Sequence, residues 1–177
     1  MAVRKIVTIP NLILDKPCQK VTEVNSEVKE IIQDLKDTLL NSVQPGAGLA
    51  ANQIGINKQI CIVRDFFPGE KPGEETYKEY VLINPQMKVA SQKQAIDWEG
   101  CLSVPDIFGM VQRFKKIKVD ALNEQGKRIS FTAEGFFART IQHEIDHLNG
   151  IIFTSKIIGS TKTEKELDHL YDTKKLG

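Results

Sequence analysis

The sequence predicts an α+β fold in which the strands of a mostly antiparallel sheet precede a central helix. Apolar residues alternate with polar ones over short segments between residues 59 and 133, as in strands. From about residue 134 to residue 149 the apolar residues recur at helical spacing instead. Strands followed by a helix are typical of the α+β class. At 177 residues, the chain suits one domain over residues 1–177 with a substantial buried core.

The first predicted helix begins after Asn25 and Ser26, either of which can cap it. Its core-facing residues follow the helical spacing of three and four: Val28, Ile31, Ile32, Leu35 and Leu39. Residues 45–48, with the sequence Pro-Gly-Ala-Gly, are predicted to end this helix and to open a segment of small residues.

Two apolar runs, at residues 59–63 and 80–83, are predicted to be buried strands joined through a surface loop at 68–73. Residues 117–121 and 129–133 then alternate between apolar and polar side chains, and a turn sequence separates them. We therefore expect an antiparallel hairpin there.

A second helix is predicted from Glu134 to Asn149, with Gly150 as the left-handed residue that ends it. Residues 155–177 form a polar tail, in which one short helix is expected near residues 164–171.

The composition restricts the function classes. A formal net charge of +1 gives no electrostatic case for nucleic acid or an anionic membrane as a partner. The three cysteines, Cys18, Cys61 and Cys101, are far apart, which favours a reducing compartment over a disulfide scaffold. The N-terminal apolar stretch is too short for a signal peptide, and no apolar run reaches membrane-spanning length. A cytoplasmic enzyme is expected.

The second helix carries the most informative motif, His-Glu-Ile-Asp-His at residues 143–147. His143 and His147 are one helical turn apart, so both imidazoles can reach one cation. Glu144 can then take a proton from water at that cation. The histidines adjoin an apolar stripe, which predicts that they are recessed rather than at the surface. One polar sector is predicted to face outward: Arg139, Gln142, Asp146 and Asn149.

A catalytic metal site needs a third protein ligand. Phe153 stands where one protease class has a further histidine, which excludes that class. Glu164 and Glu166 could serve as in a second class, although their mixed-charge segment is typical of a solvated helix face, and His169 is also expected at the surface. Cys101 is the third candidate, since thiolate binds iron or zinc strongly. Spacing alone gives Cys101 a modest advantage over the glutamates.

Residues 46–53, 99–103 and 142–148 form three motifs that together resemble the peptide deformylase family, over roughly residues 4 to 153. Residues 46–53 are similar to the family's G-x-G-L-A-A-x-Q, residues 99–103 are identical to E-G-C-L-S, and residues 142–148 match Q-H-E-x-D-H-L. The order and separation of the motifs also agree. The resemblance implies an α+β fold with mostly antiparallel sheets packed around a central metal-binding helix.

The resemblance also implies a reaction, the removal of the formyl group from N-formylmethionine at the start of newly made polypeptides. Cys101, His143 and His147 would hold Fe²⁺, although Zn²⁺, Ni²⁺ or Co²⁺ could occupy the same site in purified protein. Hydroxide on the metal would attack the formyl carbon, with Glu144 as general base and later acid. The oxyanion hole would comprise Gln53 and the backbone N–H of Leu102.

Substrate contacts follow from the small residues and from the histidine face of the helix. Gly46, Ala47 and Gly48 leave room for a peptide backbone, and Gly48 resembles the family position whose backbone bonds the substrate. Phe136 and Thr140 could line a pocket for the methionine side chain, with core packing as the alternative.

A buried pair of Glu99 and Arg113 is a further hypothesis, in which the pair braces the Cys101 segment. Asp146 is predicted to project away from the metal face and is not expected to support either histidine. The partners are expected to be nascent formyl-Met polypeptides, with transient ribosome contact. A zinc peptidase using a downstream glutamate, and a non-catalytic metal-stabilised binding module, are the alternatives.

Overall fold

The computed structural model describes residues 2–42, 46–71 and 73–175, with side chains described through Tyr171. Pro45 and Pro72, which were predicted to lie in turns, fall outside the described residues. The helices and strands follow in chain order: α1 (Ser26–Leu40), β1 (Gly48–Ala50), β2 (Ile60–Pro68), β3 (Glu75–Cys101), β4 (Val104–Leu122), β5 (Arg128–Glu134), α2 (Gly135–Leu148), β6 (Ile157–Lys162) and α3 (Glu164–Lys175). Short 3-10 helices cover Ala51–Ile54 and Phe153–Lys156.

The described strands form one antiparallel sheet in the order β1-β2-β3-β4-β5, and β6 pairs with β4. The predicted α+β class, with a mostly antiparallel sheet around a central helix, is confirmed. The β4–β5 hairpin has the expected alternation, in which Ile117 and Val119 are buried. Strand β6, within the segment predicted as a polar tail, was not predicted. It pairs with β4 at residues 108–111, beyond the part of β4 that pairs with β5.

Strand β2 lies between two helices, which explains its continuous apolar run. Successive side chains of a strand point to opposite faces. Ile60 and Ile62 belong to the core cluster around α1, whereas Cys61 and Val63 belong to the cluster beneath α2. A strand that is covered on both faces needs apolar residues at every position, not at alternate ones.

The predicted N-cap of α1 and the predicted glycine at the C-terminal end of α2 are both present. The side chain of Asn25 accepts a hydrogen bond from the backbone N–H of Val28, which caps α1. Helix α2 ends at Leu148, and Gly150 has φ of +72°. A Cβ on Gly150 would also lie 2.6 Å from the backbone carbon of Lys16, so both conformation and space require glycine there.

The prediction that four polar residues of α2 face outward is wrong for three of them. Arg139, Gln142 and Asp146 are buried, and only Asn149 is exposed. Strands β3 and β4 cover this face, and the polar side chains bond to them: Gln142, for example, donates to the carbonyl of Phe114 and accepts from its N–H. A polar residue at this interface is satisfied by backbone groups and ion pairs instead of by water.

Candidate metal centre and active site

Helix α2 and the end of β3 bring three ligand atoms together. One atom each from Cys101, His143 and His147 lies within 4.8 Å of the others, and Cys101 Sγ is 3.1 Å from His147 Nε2. A tetrahedral ion with bonds of 2.0–2.3 Å holds its donors about 3.5 Å apart, so the cluster fits one cation. His147 is 1% exposed and the side chain of His143 is 12% exposed, which confirms that the histidines are recessed.

Cys101, rather than a glutamate of α3, lies where a third ligand is needed. The grouping of potential ligands among the described residues consists of Cys101 and the two histidines, without Glu164 or Glu166. Glu166 instead accepts hydrogen bonds from the backbone and hydroxyl of Thr163 at the start of α3. A structural zinc site has four protein ligands, whereas a catalytic one has three and an open position. The three described ligands match the catalytic pattern.

Cys101 occupies an irregular position in the sheet. The pairing register of β3 and β4 shifts between Gly100 and Cys101, where the chain turns sharply toward Val104. A Cβ on Gly100 would lie 2.5 Å from the ring of Phe108, so glycine allows this close approach. The irregularity directs the thiol toward the histidines on α2.

Glu99 links the two ligand-bearing elements. Its carboxylate accepts two hydrogen bonds from Arg113, at 2.9 Å each, and one from Arg139 at 2.6 Å. It also contacts His143 Nδ1 at 3.1 Å, which leaves Nε2 of His143 available to a cation. The predicted buried pair of Glu99 and Arg113 is therefore present, and the contacts of Glu99 with His143 and Arg139 were not predicted.

Asp146 extends the group of ion pairs formed by Glu99, Arg113 and Arg139. It accepts hydrogen bonds from Arg113 and from Lys156, the latter at 2.6 Å. The prediction that it does not support either histidine directly agrees with these contacts, because Asp146 acts on Arg113 rather than on an imidazole.

The electrostatics of the site favour a cation. Burial alone would raise the pKa of Glu99, but the hydrogen bonds from Arg113 and His143 hold it well below its usual range. Burial would lower the pKa of His143, yet hydrogen bonds to Cys101 and Glu99 raise it to about 10. The surroundings thus favour positive charge at this position, which a divalent cation would supply. Burial lowers the pKa of His147 well below its usual range, so its imidazole is neutral, as a ligand must be.

Glu144 has the environment of a proton-transfer group. It is 3% exposed, and burial raises its pKa to about 7, with the charges of Glu99 and Asp146 acting in the same direction against those of His143 and Arg113. Its Oε2 is buried and has no hydrogen-bond partner among the described residues. A carboxylate with a pKa near neutrality and an unused oxygen can accept and return a proton at pH 7.

Gly48 in β1 packs directly against Glu144. A Cβ at this position would lie 2.6 Å from Glu144 Oε1 and 2.9 Å from the carboxyl carbon. Only glycine leaves the carboxylate in this place, which is a role that the sequence did not reveal.

Gln53 lies in the 3-10 helix Ala51–Ile54 and is 2% exposed. Its Oε1 accepts from the backbone N–H of Ala50 at 2.9 Å, which fixes the orientation of the amide. Its Nε2 then points toward Ser103 Oγ at 3.2 Å and Cys101 Sγ at 3.5 Å. The donor of Gln53 is therefore directed at the ligand cluster.

A cavity of about 360 Å³ opens over these groups. All the sequence-predicted site residues line it except His147, which is buried. Its lining also includes Glu99, which was expected to brace the Cys101 segment, and residues to which the sequence analysis gave no role in the site: Trp98, Gly100, Val104, Asp106, Ile107, Phe108 and Arg139. Several of these residues follow the motif at residues 99–103 directly in the chain. Their closeness to that motif in the sequence could have indicated that they lie near the site.

A cluster of three ligand atoms beside a buried carboxylate, at the floor of a cavity in an α+β fold, defines a metal-dependent hydrolase. The model of the polypeptide deformylase family matches residues 3–163. The chain is 45% identical to peptide deformylase of Aquifex aeolicus over 157 residues, which are 89% of each chain. It is 42% identical to peptide deformylase 1 of Bacillus subtilis, over 94% of this chain and 97% of that protein.

The structure agrees with the sequence comparison. A peptide deformylase of Acinetobacter baumannii, solved with Met-Ala-Ser bound, superposes with a TM-score of 0.79 at 32% identity, covering 88% of this chain and 99% of that one. The chain belongs to the polypeptide deformylase family. The resemblance drawn from the three motifs is thereby confirmed, as is the expectation of a deformylase enzyme. No helix within residues 2–42, 46–71 and 73–175 is long and apolar enough to cross a membrane.

Proposed function

We propose that this protein removes the N-formyl group from formylmethionine at the start of newly made polypeptides, through a single catalytic domain over residues 1–177. The observation that carries the proposal is the position of Glu144, which lines the same cavity as Cys101 and His143 and whose buried Oε2 has no hydrogen-bond partner among the described residues. The relative from A. baumannii was solved with a peptide that begins with methionine, which supports a methionine-initiated substrate.

Cys101, His143 and His147 would hold the metal, with Fe²⁺ in the active form. When bound, a divalent cation supplies Lewis acidity, which allows water to act as a nucleophile at neutral pH. One thiolate and two neutral imidazoles leave such a cation with a net charge of +1. Zinc and nickel bind such donors at least as tightly as iron, so purified protein can carry either.

The protein's own groups would perform the proton transfers. Glu144 would take a proton from the attacking water and deliver it to the leaving amine of methionine. Gln53 Nε2 and the backbone N–H of Leu102 would donate to the formyl oxygen as negative charge develops on it. Because neither donor is charged, the oxyanion would be stabilised without a further charge in the site.

The remaining predicted residues would hold the peptide. Gly46, Ala47 and Gly48 line the cavity and would leave room for the substrate backbone, while Phe136 and Thr140 would flank the methionine side chain. Thr140 Oγ1 donates to the carbonyl of Phe136 at 3.1 Å, so its hydroxyl is already satisfied and an apolar side chain meets no unpaired donor.

The cytoplasm is the proposed location, since all three cysteines are free thiols and thiolate-bound Fe²⁺ needs a reducing environment. The nascent chain is the proposed partner, with transient ribosome contact where it emerges.

The test is formate release from formyl-Met-Ala-Ser by protein prepared anaerobically with Fe²⁺. Glu144→Gln should retain the metal and lose about 10²–10⁴-fold in kcat, because a positioned base contributes that much. Cys101→Ser should lose the metal, while Cys18→Ala, at a buried cysteine outside the site, should keep it. The proposal is wrong if the iron-loaded protein releases no formate.

A further inference from the structure

Residues 4–9, which lie outside the helices and strands, contact both parts of the chain that carry the proposed oxyanion donors. The backbone N–H of Val7 donates to the carbonyl of Gln53 at 2.8 Å. Two residues further on, the N–H of Ile9 donates to the carbonyl of Ser103 at 3.0 Å. We call residues 4–9 the N-terminal segment. It is bonded to the residue that carries one proposed donor and to the residue that follows the other, Leu102.

Ser103 joins the same two parts of the chain through its side chain. It is fully buried, and its Oγ lies 3.2 Å from Gln53 Nε2, although the two residues are 50 positions apart. Its N–H also contacts Cys101 Sγ at 3.4 Å. The carbonyl of Ser103, which Ile9 holds, therefore belongs to a residue that contacts both Gln53 and the proposed metal ligand.

The N-terminal segment is itself fixed to α1. The guanidinium of Arg4 pairs with Asp34 at 2.7 Å, and the N–H of Arg4 donates to Thr38 Oγ1 at 2.9 Å. Both partners on α1 are buried. The side chain of Ile6 packs on the core cluster around α1, whereas that of Val7 packs on the cluster that contains the start of β4. The segment thus connects α1 to the base of the site.

We propose that the N-terminal segment positions the oxyanion hole, with Val7 acting on Gln53 and Ile9 acting on the turn that carries the Leu102 N–H. This inference rests on the proposed function. Hydrogen-bond donors stabilise a transition state only when they are held where its charge develops. Gln53 and Leu102 lie on separate elements, so their relative position depends on the groups that join those elements. Val7 and Ile9 are positioning residues, because they act through other residues.

Val7→Pro removes the N–H that bonds Gln53 and keeps an apolar side chain. We expect kcat to fall about 10-fold, because the amide donor is displaced. This loss is smaller than the roughly 10²–10³-fold loss expected when the donor is removed altogether. KM and metal content should stay at the wild-type values, since the donor acts on charge that develops only in the transition state.

The same substitution in Gln53→Ala distinguishes positioning from a general effect on the fold. The donor that Val7 positions is absent in that background, so Val7→Pro should cost less than about 3-fold there. A substitution that only weakened the fold would cost the same factor in both backgrounds.

Arg4→Ala tests the segment without altering its backbone. It removes the ion pair with Asp34 and should lower kcat about 3-fold, because the other contacts of the segment remain. Arg4→Lys keeps a positive charge beside Asp34 and should recover most of this loss. Val3→Pro is the matched control: Val3 is 60% exposed, and its N–H has no hydrogen-bond partner among the described residues, so kcat should be unchanged.

Formate release from formyl-Met-Ala-Ser by anaerobically prepared, iron-loaded protein supplies the rates. Circular dichroism and metal analysis establish that each variant is folded and loaded. The inference is overturned by wild-type kcat in Val7→Pro, by equal losses in the two backgrounds, or by a raised KM at constant kcat. If Val7→Pro does not fold, wild-type kcat in Arg4→Ala overturns it instead. A wild-type protein that releases no formate contradicts the proposed function as well, whereas an active protein with unimpaired variants contradicts this inference alone.

Discussion

Glu99 and His143 are joined by a contact of 3.1 Å between the carboxylate and Nδ1, although they come from β3 and α2. The same carboxylate accepts hydrogen bonds from Arg113 and Arg139, so four contacts meet on one buried group. This carboxylate therefore orients a proposed ligand and forms ion pairs with two buried arginines.

Glu99→Ala should lower both metal affinity and stability. Loss of the partner of His143 is expected to weaken metal binding about 10- to 100-fold. Arg139 would lose its carboxylate partner and Arg113 would keep only Asp146, which should lower the free energy of unfolding by about 3–5 kcal/mol. Metal titration and urea unfolding measure the two effects.

The matched control is Glu124→Ala, which removes the carboxylate of the partly exposed pair with Lys36. It should change stability by at most about 1 kcal/mol and leave metal affinity intact. Unaltered metal content and melting temperature in Glu99→Ala would refute the idea that this carboxylate braces the site.

Gly48→Ala should impair activity without removing the metal. The added methyl would overlap Glu144 at 2.6 Å and displace its carboxylate. Misplacement of a reacting group by about 1 Å can cost about 10²-fold in rate, which is the loss expected in kcat. Gly73→Ala, in the β2–β3 loop where a Cβ meets nothing within 4 Å, is the control: the φ of +83° makes alanine strained there, which should lower stability and leave kcat unchanged. Wild-type kcat in Gly48→Ala would contradict the prediction.

The three cysteines should differ in reactivity. Burial raises the pKa of the Cys18 thiol to about 11 and that of Cys61 well above its usual value, so roughly one molecule in a thousand, or fewer, carries either thiolate at pH 8. Cys101 is more exposed than both. Metal-free protein should therefore show one fast thiol with Ellman's reagent, and added Zn²⁺ should suppress it. A fast thiol that persists in Cys101→Ser would show that the assignment is incorrect.

Gln53→Ala should reduce kcat about 10²–10³-fold while metal content stays constant, since it removes one donor to the proposed oxyanion. Gln125→Ala, at an exposed turn, provides the comparison. If both variants turn over at the wild-type rate, Gln53 does not stabilise the transition state.

Much of the fold could be predicted because local patterns specify it. The spacing from Val28 to Leu39 determines α1, and the run that contains Ile60 and Cys61 indicates a strand covered on both faces. Most of β3 between residues 86 and 98 is polar and partly or fully exposed, and it was not predicted. That stretch is held by hydrogen bonds to β4, and the sequence of β3 alone does not encode such long-range pairing.

The residues of the site that belong to local motifs could be predicted from the sequence. The contacts between residues far apart in the chain could not. The separation of His143 and His147 is sufficient to place them on one helical face. The convergence of Arg113 and Arg139 on Glu99 depends on the packing of β3, β4 and α2, and no spacing reveals it. The polar residues of α2 were assigned to solvent for the same reason, since a charged residue in a sequence does not disclose its partner.

Cys101 and His147 are 46 positions apart in the chain, which has a consequence for the protein's own biosynthesis. The proposed ligand set is incomplete until residue 147 has been translated, and Lys156, which donates a hydrogen bond to Asp146, follows later still. Metal cannot be acquired by the early part of the growing chain. The enzyme proposed to process the first residue of other chains thus gains its own ligand set only after residue 147 of its own chain has been made.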